Sequence, residues 1–141
     1  MEEIAKNHPY VVMFTHASYI DGFLNLRYQK LCGAWVAPMK AELFKIPFFG
    51  ALLRACNILP LRRKNHAESV KSINELAVYC KRENFSLAIS PEGKRRRKPS
   101  VDNCEDNFLT FKKGPFHVAC DNNFPIMLVL VVGNNRIWPP S

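Results

Sequence analysis

The sequence lacks any apolar run long enough to cross a membrane. Its longest stretches without Asp, Glu, Lys or Arg are 14 residues, at 7–20 and 122–135, whereas a spanning helix needs about 20. The first 30 residues also lack the basic start, apolar core and cleavage site of a secretory signal peptide. We therefore expect neither a transmembrane helix nor the disulfide scaffold of a small secreted protein.

Patterns typical of metal sites and hydrolases are also missing. The five cysteines form no CxxC pair, and an odd number in a chain of this size favours a reducing compartment. The four histidines stand at positions 8, 16, 66 and 117, which fits no HExxH or other metal-ligand spacing. No GxSxG elbow surrounds Ser18, as a serine hydrolase of that type would require. We expect no metal and no cofactor.

Positive charge is what the chain has in excess. It contains 20 Lys and Arg against 12 Asp and Glu, a net charge of +8, with basic clusters at residues 62–64 and 94–98. Such clusters attract phosphate, which is carried by nucleic acid, by anionic lipid head groups and by phosphorylated small substrates. A solvated loop or a localisation signal has the same composition, so charge alone leaves the ligand open.

Length and periodicity predict a single α/β domain over residues 1–141. The 48% hydrophobic fraction is that of a globular protein. Short β-branched and apolar runs predict strands at residues 9–14, 34–37, 58–61, 85–89 and 125–132. Helices are predicted at 39–54 with a split at Pro47, at 65–82 with Asn65 and Glu68 as a capping box, and after Gly114. This alternation favours a mixed, largely parallel sheet flanked by helices, with the last strand covered on both faces.

His16 and Asp21 are the candidate catalytic pair. They follow the first predicted strand, where open α/β sheets commonly place catalytic residues. On a regular helix a five-residue offset leaves two side chains about 140° apart, so these meet only if His16 lies in the loop or first turn. A carboxylate on one ring nitrogen would leave the other to take a proton from a hydroxyl. The same spacing is also compatible with a His16 that only caps the end of the strand and has no catalytic role.

Four segments of the chain are spaced like a known set of motifs. They are His16-x4-Asp21, residues 50–63, Pro91-Glu92-Gly93 and Phe124-Pro125-Ile126. In order and approximate spacing they resemble the four motifs of the 1-acylglycerol-3-phosphate acyltransferase family, and residues 111–116 resemble the run before the fourth. The resemblance covers nearly the whole chain and implies the glycerolipid acyltransferase fold. Since that family has hydrophobic helices before the first motif and further residues after the fourth, we expect the fold to be incomplete at both ends.

The resemblance also implies an activity. It predicts transfer of a fatty acyl group from acyl-CoA to the free hydroxyl of a lysophospholipid, above all 1-acyl-sn-glycerol 3-phosphate. His16 would be the general base and Asp21 its support, while acyl-CoA would be a substrate and not a cofactor. The implied substrate contacts are Arg63, Glu92, Gly93, Arg95 and Pro125, with the two arginines on the phosphate and Glu92 and Gly93 on the glycerol.

Substrates of this kind partition into bilayers, so a membrane surface is an expected partner. We expect a location at the cytoplasmic face, of the endoplasmic reticulum in a eukaryote or of the inner membrane in a bacterium. In the apolar segment 46–61, Phe48, Phe49, Leu52 and Leu53 belong either to the core or to a membrane interface.

The competing hypothesis is a basic nucleic-acid-binding module without catalysis. No aromatic residues interrupt the basic run and no nucleic-acid motif is present, so we expect no nucleic-acid partner.

Overall fold

The computed structural model describes residues 9–18, 20–21, 27, 33–62, 65–95, 109–133 and 137. Its strands are β1 (Val11–Phe14), β2 (Trp35–Lys40), β3 (Ile58–Leu61), β4 (Ser86–Ile89) and β5 (Ile126–Val129). Its helices are α1 (Phe49–Ala55), α2 (His66–Arg82) and α3 (Gly114–Asp121), with a short 3-10 helix at Ala41–Lys45. The basic run beyond residue 95 lies outside the described residues.

The five strands form one sheet in the order β3-β2-β4-β1-β5. Each pairing between them is parallel, which confirms the predicted α/β class and largely parallel sheet. No antiparallel pairing occurs among the described strands, so the mixed character is not seen in this part of the chain. Since all five strands run the same way, their carboxyl ends lie at one edge of the sheet.

Helices α2 and α3 cover one face of this sheet. Asn65 caps α2 as predicted, its side-chain oxygen accepting a 2.8 Å hydrogen bond from the Glu68 amide. The apolar stripe of α2 then packs on the strands together with α3. The buried side chains on this face are Val11, Met13, Val36, Leu61, Leu76, Ala77, Cys80, Leu87, Ile89, Val118, Ala119 and Phe124. Burial raises the pKa of the Cys80 thiol to about 12.

The opposite face has a smaller buried cluster, formed by Val12, Trp35 and Ala88. The predicted helix at 39–54 is wrong at its start, because residues 39 and 40 continue β2 in register with β3. The chain then turns through the 3-10 helix, and α1 begins after Pro47. A Cβ on Gly50 would collide with the Phe44 carbonyl group, so this corner requires glycine at that position.

The β5 strand differs from its prediction. We expected a strand over residues 125–132 covered on both faces, but β5 ends at Val129 and lies at the edge of the sheet. Ile126, Leu128, Leu130 and Val132 are all exposed, and they alternate with half-buried residues. An apolar run therefore does not by itself tell a central strand from an edge strand. In the part of the chain that is described, no helix combines the length and apolar character needed to cross a membrane.

Candidate active site

The site lies where the connections from two neighbouring strands diverge. β1 and β4 are adjacent in the sheet. The chain passes from β1 to β2, which lies on the far side of β4, and later from β4 to β5, which lies on the far side of β1. Such a topological switch point opens a crevice at the carboxyl ends of the strands, and ligands of α/β proteins bind there. His16 follows β1 and Glu92 follows β4, so both stand at the mouth of this crevice.

His16 and Asp21 are in contact, as their spacing required. The ring Nδ1 of His16 lies 2.8 Å from Oδ2 of Asp21. The same carboxylate oxygen accepts 3.0 Å hydrogen bonds from the amides of Ala17 and Ser18. Residues 15–18 are therefore loop, and the chain curls back over the carboxylate before residue 21 begins a helical turn. This is the geometry under which a five-residue offset brings the two side chains together.

The contact fixes the ring of His16. Because a carboxylate can only accept hydrogen bonds, Nδ1 carries the proton in the neutral ring and Nε2 has the free lone pair. Asp21 is only 2% exposed, whereas the His16 side chain is 30% exposed. The ring of Phe14 packs edge-on against the imidazole at 5.8 Å. The arrangement is that of a buried carboxylate behind a partly exposed imidazole, with the free lone pair on the exposed side chain.

The loop that carries the histidine is hydrogen-bonded to the segments that follow β5 and β4. On the β5 side, the Thr15 hydroxyl accepts from the Val131 amide at 3.0 Å and donates to the Val131 carbonyl at 3.2 Å. On the β4 side, Oε1 of Glu92 accepts from the His16 amide at 3.4 Å. The other carboxylate oxygen of Glu92 accepts from the Leu109 amide at 3.2 Å. Glu92 is 4% exposed, so its carboxylate links three segments inside the protein.

The turn after β4 carries the rest of the described site. The Gly93 amide donates to the Ser90 carbonyl at 3.1 Å, and Gly93 has a φ of 70°, in the left-handed region that favours glycine. Arg95 follows two residues later and is half-buried. The Lys112 amide donates to the Pro91 carbonyl at 2.9 Å, which ties the segment before α3 to this turn.

Of the predicted substrate contacts, one lies outside the described residues and another is placed away from this end of the sheet. Arg63 lies outside the described residues, and β3, which precedes it, ends at Leu61, two strands from β4 on the same sheet edge. Pro125 precedes β5 at the opposite edge, where its carbonyl accepts from the Val11 amide at 2.9 Å. Val11 and the end of β1 at Phe14 are three residues apart, which is roughly 10 Å along the strand. Pro125 therefore positions the start of β5 and does not face the crevice.

Sequence reasoning missed two features of this site. The first is the contact between Glu92 and the His16 main chain, which depends on β1 pairing with β4. The second is Lys112, whose side chain lies against Gly93; its signal in the sequence was the resemblance of residues 111–116 to the run before the fourth motif, which gave it no role. Among the described residues, no group of three or more His, Cys, Asp or Glu is placed to hold a metal ion.

A family model and several named proteins match the chain over most of its length. Residues 1–132 match the model of the Acyltransferase family. The chain is 30% identical over 134 residues to a 1-acyl-sn-glycerol-3-phosphate acyltransferase of Cocos nucifera, which covers 91% of the chain and 39% of that protein. It is 29% identical over 141 residues to the Saccharomyces cerevisiae protein of that name, with 99% and 44% covered. For the Haemophilus influenzae protein of that name the identity is 33% over 91 residues, with 64% and 35% covered. The chain thus spans about two-fifths of the length of the plant and yeast proteins.

Proposed function

Since this chain belongs to the Acyltransferase family, we propose that it carries the catalytic centre for acyl transfer from acyl-CoA to the free hydroxyl of 1-acyl-sn-glycerol 3-phosphate. The observation that carries the proposal is the 2.8 Å contact between His16 Nδ1 and Asp21 Oδ2 at the carboxyl end of β1. The names of the relatives support the acceptor. The resemblance of the motifs supports acyl-CoA as the donor.

The proposed reaction uses His16 as a general base. Nε2 takes the proton of the acceptor hydroxyl while its oxygen attacks the thioester carbonyl carbon of acyl-CoA. A carbon–oxygen bond forms, the carbon–sulfur bond breaks, and the proton passes from Nε2 to the departing CoA sulfur. Asp21 keeps Nδ1 protonated and stabilises the imidazolium in between. A positioned base of this kind contributes roughly 10² to 10⁴ in rate.

Basic residues would hold the acceptor. A guanidinium binds a phosphate monoester through two parallel hydrogen bonds and stays charged at any relevant pH. We assign this role to Arg95, after the Gly93 turn, and to Arg63, after β3. Both carboxylate oxygens of Glu92 bond to main-chain amides, which favours a positioning role beneath His16 over direct contact with the glycerol.

We also propose that the protein works at a membrane surface on its cytoplasmic side. The corner that leads into α1 presents Ile46, Phe48, Phe49 and Leu52, all exposed, while Leu53 is buried. Basic side chains flank this corner, including the exposed Lys45 and Arg54. An apolar tip beside cations is the composition expected of a surface that enters an anionic lipid interface.

The test is acyl transfer from labelled acyl-CoA to a panel of lysophospholipids by membranes containing the chain. We expect product with 1-acyl-sn-glycerol 3-phosphate and none with a His16→Ala variant of unchanged fold. No transfer to any acceptor, together with tight binding of the wild-type chain to RNA, would overturn the proposal in favour of a basic nucleic-acid-binding module.

A further inference from the structure

The side chain of Lys112 lies across the turn that follows β4. Its Cε, Cδ and Nζ atoms are 2.9, 3.0 and 3.0 Å from the point where a Cβ on Gly93 would stand. The backbone of Lys112 is fixed at the same place, because its amide donates to the Pro91 carbonyl at 2.9 Å. The end of the Lys112 side chain therefore lies against Gly93 at the carboxyl end of β4, and the residue is exposed.

The charge of Lys112 has no acidic counterpart in the described part of the chain. No carboxylate oxygen there lies within 4.0 Å of its nitrogen. The neighbouring Glu92 is buried, and both of its oxygens accept main-chain hydrogen bonds. Lys94 and Arg95 follow Gly93 along the chain, and their positive charges repel a further cation. The positive charge of Lys112 is therefore not neutralised by a carboxylate of the described residues, and further cations follow Gly93 along the chain.

We propose that Lys112 binds the phosphate of the acceptor, as a second cation beside Arg95. The inference rests on the proposed function. A phosphate monoester carries up to two negative charges near neutral pH, so a pair of cations favours it over a singly charged phosphodiester or an uncharged glycerol. Lys112 would therefore make the site selective for acceptors with a terminal phosphate.

The decisive variant is Lys112→Met, which keeps the unbranched stem against Gly93 and removes only the charge. Lys113→Met is the matched control, since Lys113 is the adjacent lysine at the start of α3, is exposed like Lys112, and its loss changes the net charge equally. We expect Lys112→Met to raise the KM for 1-acyl-sn-glycerol 3-phosphate about tenfold or more, as for a lost charge-assisted hydrogen bond. The unfolding temperature should stay within error, and Lys112→Arg should restore most of the affinity.

A second measurement tests the site without activity. Glycerol 3-phosphate is titrated into each variant while its phosphorus resonance is followed. Binding that is weakened in Lys112→Met and kept in Lys113→Met supports the site, even if the wild-type chain transfers no acyl group and the proposed function fails. Equal binding by both variants, or an unchanged acceptor KM in Lys112→Met, overturns the inference. An equal KM increase in both variants would also overturn it, because net charge would then explain the effect.

Discussion

Replacing two exposed apolar residues, one just before α1 and one within it, should detach the protein from membranes. The change is Phe48→Asp with Leu52→Asp, at side chains that are 93% and 57% exposed. Full burial of a large apolar side chain contributes about 1.5–3 kcal/mol. Scaling by the exposed fractions gives about 2 kcal/mol for the phenylalanine and about 1 kcal/mol for the leucine. Their sum of about 3 kcal/mol corresponds to a more than hundredfold weaker partition into vesicles.

Sedimentation with liposomes measures this effect and separates its two sources. The cations near the corner contribute about 1 kcal/mol each at an anionic surface. Salt screens that part, because the Debye length falls from about 10 Å at 0.1 M to about 3 Å at 1 M. We expect the wild-type chain to bind anionic vesicles more tightly than neutral ones, with the residual binding in 1 M salt lost in the double variant.

Val78→Asp is the control for this experiment. Val78 is 61% exposed on α2, so the substitution adds one negative charge, half the change of the double variant, to a different surface and should leave vesicle binding unchanged. The reasoning is refuted if Val78→Asp loses as much binding as the double variant, or if the double variant binds like the wild type. Loss of the folded circular dichroism spectrum in the double variant would show that the corner is covered by protein, which refutes it equally.

Four further predictions concern catalysis and stability. His16→Ala should lower kcat at least about 100-fold without changing the unfolding temperature, and retention of a tenth of the activity would contradict general-base catalysis. Asp21→Asn should lower kcat about tenfold or more at an unchanged acceptor KM, because it removes the charge supporting the imidazolium; steady-state kinetics in which only KM rises would disagree. Leu53→Ala should reduce the free energy of unfolding by about 2–5 kcal/mol in urea titrations, and a loss well below that range would place Leu53 outside the core. At pH 8, iodoacetamide should label the exposed Cys120 before Cys80, since burial raises the Cys80 pKa to about 12 and keeps its thiol protonated; equal rates by peptide mass spectrometry would count against that burial.

Local signals accounted for most of the secondary structure. The strand at 58–61 has the predicted bounds, and the helix that Asn65 caps ends at Arg82 as its apolar spacing indicated. Both predictions depend on neighbouring residues only, through capping and the period of apolar positions. The condition for contact between His16 and Asp21 could also be read from the sequence, because their five-residue spacing allows it only if His16 lies in a loop or first turn, and the structure shows that contact.

What the sequence could not supply depends on the order of strands. The placement of β5 at an edge, and of Pro125 away from the crevice, follows from which strands pair. The contact of Glu92 with the His16 amide likewise exists only because β1 lies beside β4. A single sequence does not indicate which strands pair, since each pairing joins segments that are distant along the chain.

The hydrogen bonds around His16 also bear on how the protein folds. Glu92 reaches the His16 amide across 76 positions of sequence, and Val131 reaches the Thr15 hydroxyl across 116. Contacts of such high sequence separation require closing long loops, which slows folding in proteins rich in them. A chain interrupted before β5 has formed therefore lacks one of the two supports of the histidine, and the loop that carries His16 is fully tied down only after β5 has joined β1.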